Sequence, residues 1–161
     1  MEVKKMKLHL GCGNRYLEGY VNIDFRETPA TDLVYDLSKR LPYPDKSIEL
    51  IESYHLIEHL SKEKAVRLIR ECHRMLVPGC KIIIECPDLD QAIKDYLTGN
   101  EERLVSIFGH QRGSGDAHLW GYNFKRLKRL LERVGFKDIQ KKKPQDYHTK
   151  SEPCIRVEGI K

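Results

Sequence analysis

The sequence predicts an α/β fold with a parallel sheet at its centre. Short apolar runs rich in β-branched residues alternate with segments of helical periodicity along the 161 residues. Two of these runs lead into residues suited to a ligand. In LHLGCGN the apolar run is followed by two glycines, and YVNID ends in an aspartate. We expect one domain over residues 1–161, because a chain of this length forms one unit with a substantial core.

Four predicted strands come first, and turn residues separate them. Pro42 and Pro44 break the chain before the fourth strand. The strands are Lys7–Leu10, Tyr20–Phe25, Asp32–Leu37 and Ser47–Tyr54.

An amphipathic helix is predicted after the fourth strand. Ser61 is a suitable N-cap, and Glu63 lies in the first turn, where a carboxylate is favourable. Apolar residues then recur at i, i+3, i+4, i+7 and i+11, namely Ala65, Leu68, Ile69, Cys72 and Leu76. We expect Pro78-Gly79 to end this helix and Lys81–Cys86 to form a buried strand.

The second half of the chain predicts further helices and two closing strands. Residues Gln91–Phe108 are helical in character but interrupted at 98–100, and a loop with glycines and histidines follows over 109–118. Asn123 predicts the start of a last helix that Gly135 ends. Phe136–Gln140 and Ile155–Gly159 predict the closing strands, which a polar connection too long for a tight hairpin joins.

The carboxyl ends of the predicted strands are the expected location of a ligand site, as in other parallel sheets. Glycines there let the backbone approach a ligand, and an acid at the next strand end is suited to the two hydroxyls of a ribose. This pairing indicates a cofactor that contains a nucleoside. The segments concerned are Gly11–Asn14, Asp24, Asp36, Ser53–His59 and Pro87–Asp90.

The net charge of +5 is unevenly distributed. The segment 120–161 carries 12 Lys and Arg against 5 Asp and Glu, whereas the rest of the chain is slightly acidic. Nucleic acid is disfavoured as a partner, because no aromatic residues interleave with the lysines as single-strand binding requires. We therefore interpret the charge as a solvated helix face and a surface turn at Lys141–Lys143.

Several features indicate a cytoplasmic protein. No run of eighteen apolar residues is present, which predicts no membrane span. The segment Met1–Lys5 lacks the apolar core of a secretion signal. The five cysteines lie mostly in apolar runs without metal-type spacing, so we expect reduced thiols. The oligomeric state is not predicted.

Together these strand ends resemble class I S-adenosylmethionine-dependent methyltransferases. The similarity covers roughly residues 7–140 and comprises LHLGCGN, VNID, VYDLSKRLPYPDKSIELIESYHLIEHL, ECHRMLVPGCKIIIECPD and GYNFKRLKRLLERVGFKDI. It is greatest to small predicted methyltransferases in which an HxxEHL element precedes a helix that ends in an RxLxPGG-like turn. In this chain Cys80 replaces the second glycine of that turn.

The resemblance implies a Rossmann-like, mostly parallel sheet of seven strands, with the last strand antiparallel. It also implies S-adenosylmethionine as cofactor and direct methyl transfer to a small-molecule acceptor, such as a sugar or a lipid-linked intermediate. The implied cofactor contacts are the backbone of Gly11, Cys12, Gly13 and Asn14, the Asp24 carboxylate at the ribose, Asp36 and Leu37 at the adenine, and Ser53.

One departure from the family pattern concerns the segment after the glycines. Only ten residues separate Gly13 from Asp24, and a long helix with its return to the sheet does not fit into them. We therefore predict that this helix is short or missing, together with the helix N-terminus that would face the methionine end of the cofactor.

The catalytic candidates are His55, Glu58, His59 and His118. The first three share one face of a helical turn, and their spacing resembles the E-x-x-E-H element with which some O-methyltransferases hold a divalent ion. A metal-dependent O-methyltransferase is one interpretation, with His118 of the loop as a fourth ligand. The others are a histidine that acts as base or positions the substrate without metal, and a structural role. No metal ligand is assigned. We also predict that residues 109–122 form a lid over the acceptor.

The same residues have three alternative interpretations, each of which assigns the chain to another class of protein. A dinucleotide oxidoreductase would need a third glycine where Tyr16 stands and a later acid than Asp24. The segment 55–59 fits the inverted zinc-protease signature H-x-x-E-H, but it begins at the end of a buried strand rather than within a helix. A non-catalytic module that binds the cofactor is the third alternative, favoured by the missing helix.

Overall fold

The computed structural model describes residues 6–161, so the expectation for segment 1–5 lies outside the described residues. Seven strands form one sheet in the order β3-β2-β1-β4-β5-β7-β6. The strands are β1 (Met6–Leu10), β2 (Val21–Asp24), β3 (Leu33–Val34), β4 (Ile48–Tyr54), β5 (Leu76–Pro87), β6 (Lys137–Lys142) and β7 (Cys154–Ile160).

Four helices and two short 3-10 turns connect the strands. The helices are α1 (Lys62–Met75), α2 (Leu89–Leu97), α3 (Arg103–Phe108) and α4 (Phe124–Val134), and the 3-10 turns are Ile57–His59 and Tyr147–Lys150. Ser61 caps α1 by accepting from the Lys64 amide, and Asn123 caps α4 by accepting from the Arg126 amide. Gly135 ends α4 in the left-handed conformation, as predicted.

The sheet has the predicted parallel centre and an antiparallel last strand. Strand β1 lies between β2 and β4, with Leu10 beside Ile23 on one side and beside Ser53 on the other. Strand β7 runs antiparallel to both β5 and β6. The carboxyl ends of β1, β2 and β4 therefore meet at one side of the sheet, which confirms the predicted fold class.

The helix predicted to end at Pro78-Gly79 ends earlier than expected. It ends at Met75, and Leu76 already adopts an extended conformation and pairs with Ile48 of β4. Strand β5 thus includes Pro78-Gly79, and the Gly79 amide donates to the Lys161 carbonyl. The hydrogen bonds of residues 76–79 to neighbouring strands therefore end the helix before Pro78-Gly79, the stop expected from the local sequence.

Two other predicted boundaries are wrong. The third strand extends over two residues instead of six, because Asp36 accepts hydrogen bonds from the amide and hydroxyl of Ser38 and turns the chain. Lys141 and Lys142 lie in β6 rather than in a surface turn. Both residues are exposed, since β6 is an outermost strand of the sheet.

The core lies between the sheet and the helices that pack on it. It includes central residues of β1, β4 and β5, such as Leu8, Ile51 and Ile84, which are all but inaccessible to solvent. Helices α1 and α4 pack against each other and bury Leu68 and Leu131. Within residues 6–161, no helix combines the length and the apolarity needed to cross a membrane.

Candidate functional site

A cavity of about 660 Å³ lies at the carboxyl ends of β1, β2 and β4. Ten of the twelve predicted site residues line it: Gly11, Cys12, Gly13, Asn14, Asp24, Asp36, Leu37, His55, His59 and His118. The other two, Ser53 and Glu58, are buried and do not form part of its wall.

The glycine turn after β1 is shaped by Gly11. This residue has φ +70°, and a Cβ there would lie 2.8 Å from the Leu56 Cβ. The amides of Gly11 and Cys12 both donate to the Ile23 carbonyl, which ties the turn to β2. The Cys12 side chain is buried next to the Ala30 carbonyl, so this cysteine presents only backbone to the cavity.

The Asp24 carboxylate lies at the end of β2 beside this turn. Its Oδ2 accepts from the Gly13 amide at 2.8 Å, and its Oδ1 accepts from the Arg26 amide at 3.0 Å. Asp24 is 4% exposed, and its carboxylate is thus fixed by backbone donors before any ligand binds. Each oxygen keeps a lone pair for a further donor in the cavity.

Asp36 and Leu37 line the cavity beyond β3. Leu37 is buried, whereas Asp36 is exposed and accepts from the hydroxyl of Ser38 at 2.7 Å and from its amide at 2.9 Å. These hydrogen bonds lower the pKa of Asp36, so it is a carboxylate at neutral pH. A charged acceptor and an apolar surface are therefore adjacent.

Residues 14–20 form turns and contain no helix, in agreement with the prediction from their number. Arg15 occupies this region, and its guanidinium carbon lies 4.4 Å from the centre of the Tyr54 ring. The same guanidinium pairs with the Asp146 carboxylate. Arg15 lines the cavity with a third of its side chain exposed, so a cation lies beside the glycine turn.

The connection between β6 and β7 supplies cavity residues that were not predicted. Asp146, Tyr147 and His148 all line the wall. Glu85, at the end of β5, accepts from the amides of Gln145 and Asp146 and thereby holds this connection in place. The sequence feature that could have indicated these cavity residues is QDYH, in which an acid, an aromatic residue and a histidine follow a lysine-rich strand.

His55 has backbone and side-chain features that distinguish it from its neighbours. Its φ is +49°, an uncommon value for a residue with a Cβ. Its ring stacks on His148 at 3.8 Å, its Nε2 lies 3.6 Å from the Cys154 sulfur, and its Nδ1 lies 3.2 Å from Glu58 Oε1. Burial opposes the charged form, but Cys154 and Glu58 raise the pKa of His55 to about 10, so the ring is an imidazolium at neutral pH.

Glu58, His59 and His118 form a second group at the cavity. One carboxylate oxygen and one nitrogen from each ring lie within 4.8 Å of one another. His59 Nδ1 lies 3.1 Å from the Ala117 carbonyl, and His118 Nδ1 lies 3.0 Å from the Ser106 carbonyl. The structure thus brings these three predicted residues together, while His55 contacts the group only through Glu58.

The loop over residues 109–118 extends across the cavity. Gly109 and Ala117 form an isolated antiparallel bridge at its base, and the amides of Leu119 and Trp120 donate to the Glu58 carbonyl. At its tip, a Cβ on Gly115 would lie 3.0 Å from the Phe25 ring. The loop therefore reaches from the histidine pair to the end of β2.

The sequence of the chain is similar to known methyltransferases. The family model described as "Methyltransferase domain" matches residues 15–84, which begin directly after the glycine turn. A probable S-adenosylmethionine-dependent methyltransferase of Mycolicibacterium smegmatis is 24% identical over 146 residues, an alignment that covers 80% of this chain and 51% of that protein. The chain thus spans about half the length of this curated relative.

Solved structures share the fold at low sequence identity. A SAM-dependent methyltransferase from Archaeoglobus fulgidus gives a TM-score of 0.70 at 18% identity over 98% of this chain and 86% of its own. Human N-acetylserotonin methyltransferase in complex with SAM gives 0.64 at 16% identity over 99% of this chain and 48% of its own. The strand order and the cavity at the strand ends agree with this similarity, and the chain resembles S-adenosylmethionine-dependent methyltransferases in sequence and has the fold of their class I members.

Proposed function

We propose that this protein binds S-adenosylmethionine in the cavity and transfers its methyl group to a small-molecule acceptor. The observation that carries the proposal is the Asp24 carboxylate, which the Gly13 amide holds at the wall of the cavity. An acid fixed in this way is suited to the two hydroxyls of a ribose. The similarity to S-adenosylmethionine-dependent methyltransferases supports this use of the site.

The remaining cofactor contacts follow from the positions of the strand ends. The adenine would lie near Asp36 and Leu37, where the carboxylate accepts its amino group and the leucine contacts its ring. The backbone of 11–14 would lie against the sugar and the methionine chain. Ser53, which was predicted as a cofactor contact, is buried and does not line the cavity, so we propose no direct contact for it.

Arg15 is our candidate for the charge that holds the methionine carboxylate. The helix N-terminus that would attract an anion is missing here, and Arg15 is the cation closest in sequence to the glycine turn. Its stacking on Tyr54 and its pairing with Asp146 hold the guanidinium at the cavity wall. Arg15 would then replace a helix dipole with a full charge.

The reaction is an in-line displacement at the methyl carbon. A lone pair of the acceptor forms the new bond to carbon while the bond between carbon and the sulfonium sulfur breaks, which leaves a neutral thioether. The protein's main contribution is the alignment of acceptor, methyl and sulfur. His55, His59 and His118 line the part of the wall where an acceptor would lie, and an acceptor proton passes to a base there or to water.

The shape of the cavity favours a small acceptor. The loop over 109–118 extends across it, so the site is a covered pocket rather than a groove for a polymer. Its volume of about 660 Å³ lies within the usual range for small-molecule sites.

All five cysteines are free thiols, which agrees with a reducing, cytoplasmic environment.

Calorimetry with S-adenosylhomocysteine tests the cofactor site. The wild type should bind it, and Asp24→Asn should bind more than about tenfold more weakly, because a charge-assisted hydrogen bond is worth about 1.5–3 kcal/mol. Glu27→Gln is the matched control, since Glu27 is an exposed acid near the same strand end and outside the cavity wall. Equal affinities for all three proteins would contradict the proposal.

A methylation screen then distinguishes an enzyme from a non-catalytic binding module. The protein is incubated with S-adenosylmethionine labelled in the methyl group and with fractionated metabolite extracts. A methylated product whose yield falls in Asp24→Asn supports methyl transfer. Binding of S-adenosylhomocysteine without transfer to any fraction supports the non-catalytic alternative.

A further inference from the structure

We propose that Glu58, His59 and His118 form a binding site for a divalent first-row transition ion at the wall of the cavity. The ligand set is two imidazoles and one carboxylate, a combination that suits zinc, iron or manganese rather than magnesium. The set predicted from sequence also contained His55, which in the structure lies outside this group and contacts Glu58.

The state of the Glu58 carboxylate indicates a cation site. Both of its oxygens are buried, and among residues 6–161 neither accepts a hydrogen bond of good geometry. The residue is 2% exposed. His55 Nδ1 lies 3.2 Å from Oε1 and balances part of the charge, but Oε2 has no such neighbour within the described chain. A buried carboxylate without hydrogen-bond donors is costly, and a bound cation removes that cost.

The two histidines are oriented by hydrogen bonds to the backbone. Each ring has its Nδ1 at hydrogen-bond distance from a backbone carbonyl, Ala117 for His59 and Ser106 for His118. A carbonyl only accepts, so Nδ1 is the protonated nitrogen and Nε2 carries a free lone pair. Metal-binding histidines are typically held in this way, because the outer hydrogen bond fixes both the tautomer and the ring orientation.

The backbone holds the three residues together. Glu58 and His59 lie on the same 3-10 turn, and the Glu58 carbonyl accepts from the amides of Leu119 and Trp120, which directly follow His118. The two rings are edge to face at 4.8 Å between centroids. The group is therefore assembled by contacts other than those among the ligands themselves.

Other groups of potential ligands in the described part of the chain are weaker candidates. His148 and Asp146 already form a pair with each other, and Asp146 also pairs with Arg15. His55 has both ring nitrogens engaged, one with Cys154 and one with carboxylates. In the Glu58 group, by contrast, both carboxylate oxygens lack a hydrogen-bond partner among residues 6–161, and the hydrogen bond of each imidazole to a backbone carbonyl involves Nδ1 and not Nε2.

The site leaves coordination positions open toward the cavity, since His59 and His118 both line its wall. Three protein ligands with open positions are typical of catalytic rather than structural metal sites. If the proposed methyl transfer is correct, an oxygen or nitrogen of the acceptor would occupy an open position, which makes the acceptor a ligand with a lone pair. The existence of the metal site itself does not depend on that function.

Metal content and cobalt spectroscopy test the site. The protein is prepared without a histidine tag, treated with a chelator and titrated with Zn²⁺ and, separately, with Co²⁺, whose visible absorption reports nitrogen and oxygen coordination. We expect one equivalent to bind. The variants His59→Gln and His118→Gln should each bind more than about 100-fold more weakly, a larger loss than outer hydrogen-bond partners cause.

His110→Gln is the matched control. His110 belongs to the same loop and lines the same cavity but is not part of the group. It should bind both ions as the wild type does. Zn²⁺ affinity that is the same in the wild type and in the variant lacking both His59 and His118 would overturn the proposal, and so would binding that depends equally on His110.

Calorimetry with S-adenosylhomocysteine on the same samples separates this result from the proposed function. Binding of S-adenosylhomocysteine by His59→Gln and His118→Gln shows that these variants are folded, so that their loss of metal is specific. If the wild type binds Zn²⁺ but not S-adenosylhomocysteine, the metal site stands and the methyltransferase proposal fails. Glu58→Gln, which preserves volume but removes the charge, should lose Zn²⁺ as well.

Discussion

The guanidinium of Arg15 pairs with the carboxylate of Asp146, although the two residues are 131 positions apart in sequence. This pair joins the turn after β1 to the connection between β6 and β7. The Glu85 carboxylate accepts from the amides of Gln145 and Asp146 in that connection. The Arg156 guanidinium in turn donates to Glu85 at 2.8 Å. One buried ionic network thus connects the glycine turn with the far half of the sheet.

The stability of the protein should depend on pH through Asp146. Burial opposes its charge, but hydrogen bonds from His148 and the positive charge of Arg15 lower its pKa from 3.8 to about 2. Because the folded pKa is depressed, the stabilisation is present above about pH 4 and is lost as the pH falls toward 2. A shift of this size corresponds to roughly 2 kcal/mol in the free energy of unfolding.

Urea denaturation of Asp146→Asn between pH 7 and pH 2 measures this contribution. The variant should be less stable than the wild type at pH 7, and the difference should shrink below pH 4. Glu101→Gln, a change at an exposed acid away from the cavity, is the control and should follow the wild type at every pH. A difference between wild type and Asp146→Asn that does not change with pH would contradict the assignment.

Gly11→Ala should impair both stability and cofactor binding. The added Cβ meets a positive φ and the Leu56 side chain, and strain of this kind costs about 1–3 kcal/mol. Gly19→Ala is the matched control, since Gly19 also has a positive φ, of +80°, but open space around its Cβ position. If both variants lose the same stability and affinity, the contact with Leu56 is unimportant.

Asp36 is predicted to accept a hydrogen bond from the adenine amino group. An S-adenosylhomocysteine analogue in which a carbonyl replaces that amino group should bind the wild type roughly three- to tenfold more weakly. In Asp36→Ala the two ligands should bind with similar affinity, because the acceptor is gone. Calorimetry on both proteins with both ligands gives the coupling, and an equal preference in wild type and variant would show that the adenine lies elsewhere.

The loop over residues 109–118 should become less accessible when ligand binds. Arg112 is largely exposed at its tip and provides a tryptic site. Saturating S-adenosylhomocysteine, with or without the acceptor, should slow cleavage after Arg112 several-fold, whereas cleavage after Arg133 at the end of α4 should not change. Mass spectrometry of timed digests measures both rates, and equal rates at Arg112 with and without ligand would argue against a lid.

The fold was predictable because its determinants are local. The spacing of Ala65, Leu68 and Cys72 places them on one helix face, and Ser61 and Asn123 cap the helices that follow them. The boundaries that were wrong depend on distant partners. Leu76 becomes a strand residue because Ile48 pairs with it, and nothing within the helix signals that contact.

The candidate site was predictable only where its residues follow strands. Asp24 ends β2 and His59 lies in the turn that follows β4, so their position at the carboxyl end of the sheet follows from the topology. Asp146 and His148 lie in a polar connection whose path depends on two amides bound by Glu85, and periodicity does not report such contacts. The position of His55 outside the proposed metal group likewise depends on contacts with residues distant in sequence, Cys154 and His148.

The two outermost strands limit how this sheet interacts with other chains. On one side β3 has only two residues, and on the other β6 exposes Lys137, Lys141 and Lys142. A short edge offers few free amides and carbonyls for pairing, and lysines along an edge repel a second copy. The excess of positive charge near the end of the chain therefore acts as protection against edge-to-edge aggregation, a role that needs no nucleic acid or other anionic partner.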